Sequence, residues 1–141
     1  MNLVGGTWAA LVLSSFAPVS AGGLVRSDRE IDWTAAWERF VSSMNARARL
    51  GARVALLIAI TAPVWALGRL GSLASLGAEE RARLLDRLLA HRLYFVRELV
   101  LMLKVCACLA MFRSGEVRAR TSYDRPASPK PRLPMLVAEG A

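Results

Sequence analysis

The sequence predicts an all-α protein: a small helical domain with one long, broadly apolar helix and an extended proline-rich C-terminal tail. Three observations support this fold class. Trp33, Trp37, Phe40 and Met44 follow one another at spacings of four, three and four, which is the period of an amphipathic helix. Residues 93–112 are apolar on almost every side. Four of the six prolines fall in the last sixteen residues, and this spacing excludes a helix or an inner strand there.

The composition suggests contact with something other than water. The 141 residues are 55% hydrophobic, with a mean hydropathy of +0.36 and a formal net charge of +8. Positive charge suits nucleic acid or anionic lipid. Seventeen of the nineteen basic residues are scattered arginines without an interleaved aromatic motif, which argues against nucleic acid. We therefore expect a membrane-associated protein; the side of the membrane stays open, with the cytoplasmic face favoured.

We divide the chain into three parts, the first being an apolar N-terminal helix or anchor at residues 1–25. Between Asn2 and Val25 there is no charged side chain. Three interpretations stay open: a packed helix, a membrane anchor, or an uncleaved signal, although the basic start of a signal peptide is missing. The packed helix would place one stripe against the core: Trp8, Leu11, Val12, Ser15 and Phe16.

The second part is a helical domain at residues 26–113. Ser27 and Glu30 have the spacing of a capping box, which predicts the start of the tryptophan-rich helix. The next apolar stretch runs uncharged for fifteen residues, from Val54 to Gly68, too few to span about 30 Å of hydrocarbon. We expect Pro63 to kink or end that helix.

The end of the helical domain is predicted from local signals. Gly77 and the acidic pair Glu79 and Glu80 mark the start of another helix. We expect a break at residues 90–93, with His91 exposed or hydrogen-bonded there, and an end to the apolar helix at Ser114-Gly115. The third part, residues 114–141, is the predicted extended tail, in which apolar residues suggest a strap laid on another surface: Leu133, Met135, Leu136 and Val137.

The residues that carry chemistry are few, and no catalytic or metal-binding set stands out. Cys106 and Cys108 are about 200° apart on a helix, so the two thiols cannot pair or share a metal. His91 is the only histidine, and there is no glycine-rich phosphate loop. We expect no catalytic residue, no metal and no cofactor in this chain.

The helix at residues 93–112 is not expected to cross a membrane alone. Its ten Leu, Val and Phe residues gain roughly 3 to 6 kcal/mol on insertion, whereas three mid-helix charges cost roughly 2.5 to 3.5 kcal/mol each. We predict instead that one face packs in the core and another binds a partner. The predicted partner interface on this helix is a stripe of six residues: Tyr94, Arg97, Leu101, Lys104, Cys108 and Met111. Lys104 would either snorkel to water or meet a carboxylate of the partner.

Residues 76–126 resemble the helical segment that precedes, or accompanies as a small subunit, the flavin domain of glucose-methanol-choline (GMC) oxidoreductases. The resemblance is to the leaders of long-chain alcohol dehydrogenases and to the small subunits of gluconate-type dehydrogenases. The residues that match this pattern are Leu76, Glu79, Glu80, Arg81, Arg97, Leu103, Lys104, Val117, Tyr123 and Pro126. No G-x-G-x-x-G fingerprint follows them, so the resemblance implies that FAD and the catalytic histidine belong to a partner polypeptide.

The function expected from this resemblance is that of a non-catalytic accessory subunit. The chain would stabilise and position a separate FAD-dependent GMC-type alcohol dehydrogenase or oxidase, in a hetero-oligomer at a membrane. Tyr123, Leu133 and Met135 of the tail would join the partner interface. The alternative is a small integral-membrane accessory subunit of another complex.

Overall fold

The computed structural model describes residues 3–121 apart from Pro18, Ala21 and Asp28. Those residues form six α-helices and a short 3-10 helix and contain no strand, which confirms the all-α prediction. The α-helices are α1 (Leu3–Ser15), α2 (Trp33–Ser42), α3 (Ala46–Leu67), α4 (Ala78–Leu89), α5 (Tyr94–Arg113) and α6 (Gly115–Arg120); the 3-10 helix is Leu73–Ser75.

The predicted broadly apolar helix, α5, is the centre of the bundle. It packs against each of the other α-helices in the described part of the chain. Its core face is buried: Val100, Leu103, Cys106, Ala107 and Ala110. Leu84, Leu85 and Leu88 of α4 join the same core, and each fully buried leucine contributes about 1.5–3 kcal/mol through burial.

α1 packs against α2, α3, α4 and α5. Ala9, Val12 and Leu13 are fully buried, and the hydroxyl of Ser15 donates to the carbonyl of Leu11 at 2.6 Å. Of the five-residue stripe predicted for a packed helix, only Val12 and Ser15 are buried; the other three are half-buried. α1 approaches α2 closely at Gly6, where an added Cβ would lie 3.0 Å from Cγ2 of Thr34.

The predicted capping box at Ser27 and Glu30 is wrong as a helix start. The N-cap of α2 is Asp32, five residues after Ser27, and its carboxylate accepts from the N–H of Ala35 at 2.9 Å. Glu30 is used elsewhere: it accepts two hydrogen bonds from Arg120 of α6 and one from the backbone N–H of Arg26. A long-range partner therefore takes the carboxylate that a local pattern assigned to a cap.

α3 continues through Pro63 to Leu67, so the helix does not end at the proline. The ring of Pro63 is fully buried, and packing holds the backbone helical beyond it. α3 ends at Gly68, which has the left-handed φ of +65° and donates its N–H to the carbonyl of Pro63. At 22 residues, α3 is longer than α5, and it is the one helix in the described residues long and apolar enough to cross a membrane.

The predicted breaks between the later helices are confirmed. Gly77 precedes α4 and donates its N–H to Glu80 at 3.3 Å. α4 and α5 are separated at residues 90–93, where Nδ1 of His91 accepts from the N–H of Leu93 at 3.2 Å. α5 ends at Arg113, as predicted.

The segment predicted to be extended from residue 114 begins instead with α6. Glu116 lies in its first turn and two arginines in its last turn, an order that complements the helix dipole. Val117 is buried, which anchors the short helix to the core. Residues 122–141, including Tyr123, Leu133 and Met135, lie outside the described residues.

Candidate functional site

The longest row of exposed apolar side chains in the described residues lies on α5, on the side opposite its buried face. We call it the α5 stripe; its members are between 42% and 66% exposed and lie near one line along the helix: Tyr94, Leu101, Val105, Leu109 and Phe112. Contiguous exposed apolar side chains of this kind mark protein or membrane contact sites. Since α5 is also the central helix, a partner that binds this stripe would contact the helix that packs against all the other α-helices.

Two of the six predicted interface residues of α5, Tyr94 and Leu101, belong to this stripe, and the other four lie beside it. Tyr94, Arg97 and Leu101 are exposed, and the guanidinium carbon of Arg97 lies 5.4 Å from the centroid of the Tyr94 ring. Cys108 is half-buried, as is Met111, which packs against the core. The structure therefore brings the first three predicted residues to an open surface and turns the last ones toward the core.

Val105, Leu109 and Phe112 are not among the interface residues predicted from the sequence. The signal was present, because these residues follow Leu101 at four, eight and eleven positions, which is helical spacing. The predicted stripe instead followed the seven-residue spacing from Arg97 to Lys104. That choice rotates the stripe toward the half-buried side of α5.

Lys104 is half-buried and forms no ion pair with any residue that the structure describes. Its neighbours in sequence include exposed Val105 and buried Leu103. Lys104 therefore lies at the boundary between core and surface. From there its four-carbon stem reaches either water or a carboxylate of a partner.

A second exposed apolar row, the α3 stripe, consists of Leu50, Leu57 and Val64. These residues are spaced by seven and are 64%, 60% and 46% exposed. The first half of α3 also carries Arg47, Arg49 and Arg53, whereas residues 54–67 are uncharged. α3 is thus basic at one end and apolar along the rest.

A groove of about 670 Å³, the α1–α3 groove, opens between the first three helices. Its walls are mostly apolar, with two guanidinium groups and one carboxylate among them. The residues that line it are Gly5, Gly6, Trp8, Trp37, Glu38, Val41, Ser42, Arg49, Arg53, Leu56, Leu57 and Ile60. The sequence analysis did not predict this groove, because its walls come from three helices separated by loops.

A smaller pocket of about 230 Å³ lies between α2 and α5 and contains Cys106. Burial raises the pKa of the Cys106 thiol to about 11. The thiol is therefore protonated at neutral pH and is a poor nucleophile. Cys106 and Cys108 are both free, and Cys108 is half-buried.

The strongest polar contact in the described residues joins the loop before α2 to α6. Arg120 donates to both carboxylate oxygens of Glu30, at 2.6 and 2.9 Å, and to the carbonyl of Leu24 at 2.8 Å. The hydrogen bonds from Arg120 are the main cause that lowers the pKa of Glu30 below its ordinary value of 4.5. This pair therefore holds the segment between α1 and α2 against α6.

The described residues hold no group of three or more His, Cys, Asp or Glu side chains arranged to bind a metal ion. Comparisons with protein-family models, with curated proteins and with solved structures find no match to this chain. The candidate sites in the described residues are three surfaces: the α5 stripe, the α3 stripe and the α1–α3 groove.

Proposed function

We propose that this chain is a non-catalytic accessory subunit that binds a larger protein through the α5 stripe. The observation that carries the proposal is a central helix with a buried core face and an open apolar face. Tyr, Phe and Arg are enriched at the cores of protein interfaces. Tyr94, Phe112 and Arg97 supply these residue types along one side of α5. A partner on this stripe would stabilise the bundle and be positioned by it.

The partner that we propose is an FAD-dependent oxidoreductase of the GMC type acting on an alcohol. This choice rests on the resemblance of residues 76–126. Three of the matching residues, Leu76, Leu103 and Val117, are buried in the bundle. Arg97 lies exposed beside the α5 stripe. FAD and the residues for hydride transfer would be supplied by the partner.

Membrane association is the third part of the proposal, and it is supported by α3. That helix is long and apolar enough to cross a bilayer, and a third of its most apolar window is buried inside the protein. Its exposed arginines at one end suit the headgroups of anionic lipids. The complex would then be held at the surface by α3 while α5 binds the flavoprotein.

Capture of the partner tests the proposal. A tagged chain would be expressed in its native cell and purified in mild detergent, and the FAD released by acid would be quantified per chain. We expect near-stoichiometric FAD with the wild type and a loss of roughly tenfold or more with Leu101→Asp, because an interface charge without a partner is strongly unfavourable. Leu70→Asp is the matched control, since Leu70 is 99% exposed and lies in the loop after α3.

Two results would contradict the proposal. The first is equal FAD recovery with the wild type and Leu101→Asp, which would remove the α5 stripe from the interface. The second is stoichiometric FAD in the isolated chain, which would remove the non-catalytic assignment.

A small integral-membrane accessory subunit of another complex is the second candidate function. It is favoured by the length and composition of α3. Alkaline carbonate extraction separates the two candidates, because it releases peripheral proteins and leaves integral ones in the membrane. Retention of the chain without any bound flavoprotein would favour the second candidate.

A further inference from the structure

We propose that the α1–α3 groove binds one long-chain fatty-acid anion. The hydrocarbon chain would lie against the apolar walls and the carboxylate would meet Arg49 and Arg53. This inference goes beyond the accessory function, because no residue of α5 lines the groove.

The apolar walls are the first part of the argument. Trp8 of α1, Trp37 and Val41 of α2, and Leu56, Leu57 and Ile60 of α3 all face the same concavity. Leu57 is 60% exposed and would be covered by an occupant. Removing apolar surface from water is favourable, and an alkyl chain does so without introducing an unpaired polar group into the groove.

The volume favours a single-chain ligand. A heavy atom takes up roughly 30 Å³, by comparison with the share of a water molecule in the liquid, so the twenty heavy atoms of an eighteen-carbon fatty acid fill about 600 Å³. The groove measures about 670 Å³. A two-chain phospholipid has more than twice as many heavy atoms, so its second chain would lie outside the groove. We therefore assign the groove to a free fatty acid rather than to a bilayer lipid.

The charge of the groove favours an anion. Arg49 and Arg53 are one helical turn apart, are exposed, and form no ion pair with any residue in the described part of the chain. Glu38 also lines the groove, so these three side chains leave a net charge of +1. A guanidinium presents two parallel N–H donors that match a carboxylate. A cationic or neutral head group would leave both arginines without a partner.

Titration calorimetry of the full chain with sodium oleate, below its micellar concentration and without detergent, tests the proposal. We expect one oleate bound per chain. Methyl oleate has the same chain and no charge, and it should bind about tenfold more weakly, since hydrogen bonds to a charged acceptor are stronger than neutral ones.

Two variants locate the site. Arg49→Gln with Arg53→Gln should lower oleate affinity about tenfold and leave methyl oleate binding unchanged. Arg87→Gln with Arg92→Gln is the matched control, because it removes the same charge from exposed positions outside the groove.

Leu57→Asp should weaken oleate binding by placing a like charge at the groove, whereas Leu70→Asp should not. Circular dichroism should show equal helicity for all four variants, whose substituted side chains are exposed.

Three results would overturn the assignment. The first is equal affinity of the wild type for oleate and methyl oleate, and the second is an equal loss of oleate affinity in the two double arginine variants. The third is binding to phospholipid vesicles without any binding of oleate. Failure here is separable from failure of the proposed function. The arginine variants leave the α5 stripe intact, and capture in detergent does not depend on a membrane contact of α3. FAD capture by Arg49→Gln with Arg53→Gln should therefore match the wild type.

Discussion

At the residue scale, single side chains decide where the helices of this protein begin. Asp32 and Asn45 accept from backbone N–H groups three residues later and so cap α2 and α3. Glu30 has the same chemistry and an apparent capping pattern, yet its carboxylate is held by Arg120, ninety residues away. The geometry of Glu30 and Arg120 is bidentate, and the Glu30 side chain is only 8% exposed. A local motif therefore competes with a distant cation for the same carboxylate.

The Glu30–Arg120 pair predicts an acid dependence of stability. The pKa of Glu30 is lower in the folded protein than its ordinary value of 4.5, chiefly because of the hydrogen bonds from Arg120. The stabilisation is therefore complete above about pH 4.5 and is lost as the pH falls below 4.5 through the folded pKa. Glu30→Gln should lower the thermal midpoint at pH 7 and flatten its decline below pH 4.5. Circular dichroism melts across this range measure both effects.

Glu79→Gln is the control for this prediction. Glu79 forms an exposed i,i+4 pair with Arg83, and such pairs contribute little to stability. At pH 7, Glu79→Gln should lower the thermal midpoint several times less than Glu30→Gln does. Glu80, whose pKa is also lowered, chiefly by the N–H of Gly77, should keep part of the acid dependence in the Glu30 variant. Equal effects of the two substitutions would contradict a stabilising role for the Arg120 contact.

At the element scale, α3 combines two glycines with opposite structural requirements. Gly51 lies inside the helix, and a Cβ added there would meet nothing within 4 Å. Gly68 ends the helix with a φ of +65°, a conformation that a side chain disfavours. Replacing glycine by alanine is therefore expected to stabilise the protein at Gly51 and to destabilise it at Gly68.

Gly51→Ala should raise the free energy of unfolding by roughly 0.5–1 kcal/mol, because alanine loses less backbone entropy than glycine in a helix. Gly68→Ala should lower it by roughly 1 kcal/mol or more, because the cap needs a left-handed backbone. Urea unfolding under identical buffer conditions measures both, and each variant controls for the other. Stabilisation by both substitutions would show that the turn after α3 tolerates a side chain.

At the scale of the whole molecule, five other helices surround α5 and still leave one of its faces open. The α3 and α5 stripes together expose eight apolar side chains. The core is nevertheless continuous, from Val12 and Leu13 of α1 to Val117 of α6. The bundle therefore buries enough apolar surface to fold as one body and keeps an apolar surface that a partner or bilayer would cover.

We predict that the isolated chain binds a hydrophobic dye and associates in a concentration-dependent manner. Leu101→Asp with Val105→Asp should lower the dye fluorescence by about half, because it interrupts one of the two exposed stripes. Leu70→Asp should change the fluorescence little, since Leu70 belongs to neither stripe. Dye titration and sedimentation velocity measure the two properties. A wild-type chain that stays monomeric and binds no dye would refute the prediction.

The sequence by itself determined the fold class and three boundaries: the start of α4, the break between α4 and α5, and the end of α5. Helical spacing of apolar residues, Gly77 with Glu80, and the break at residues 90–93 are local signals, and local signals act through backbone groups a few residues away. For the same reason, the fold class and the break after Arg113 were predictable. The flavoprotein partner and the role of Lys104 stay predictions, because both concern contacts outside the chain.

Only the tertiary structure decided which surfaces remained open. Packing of α5 against its neighbours buried Leu103 and Ala107 and left Val105 and Leu109 exposed, a rotation that seven-residue spacing did not identify. Burial of the Pro63 ring let α3 continue where local rules expected an interruption. Glu30 pairs with Arg120, and side chains from three separate helices form the α1–α3 groove. Each of these outcomes depends on residues far apart in the chain, whose relative positions are set by the summed packing of the core rather than by any local pattern.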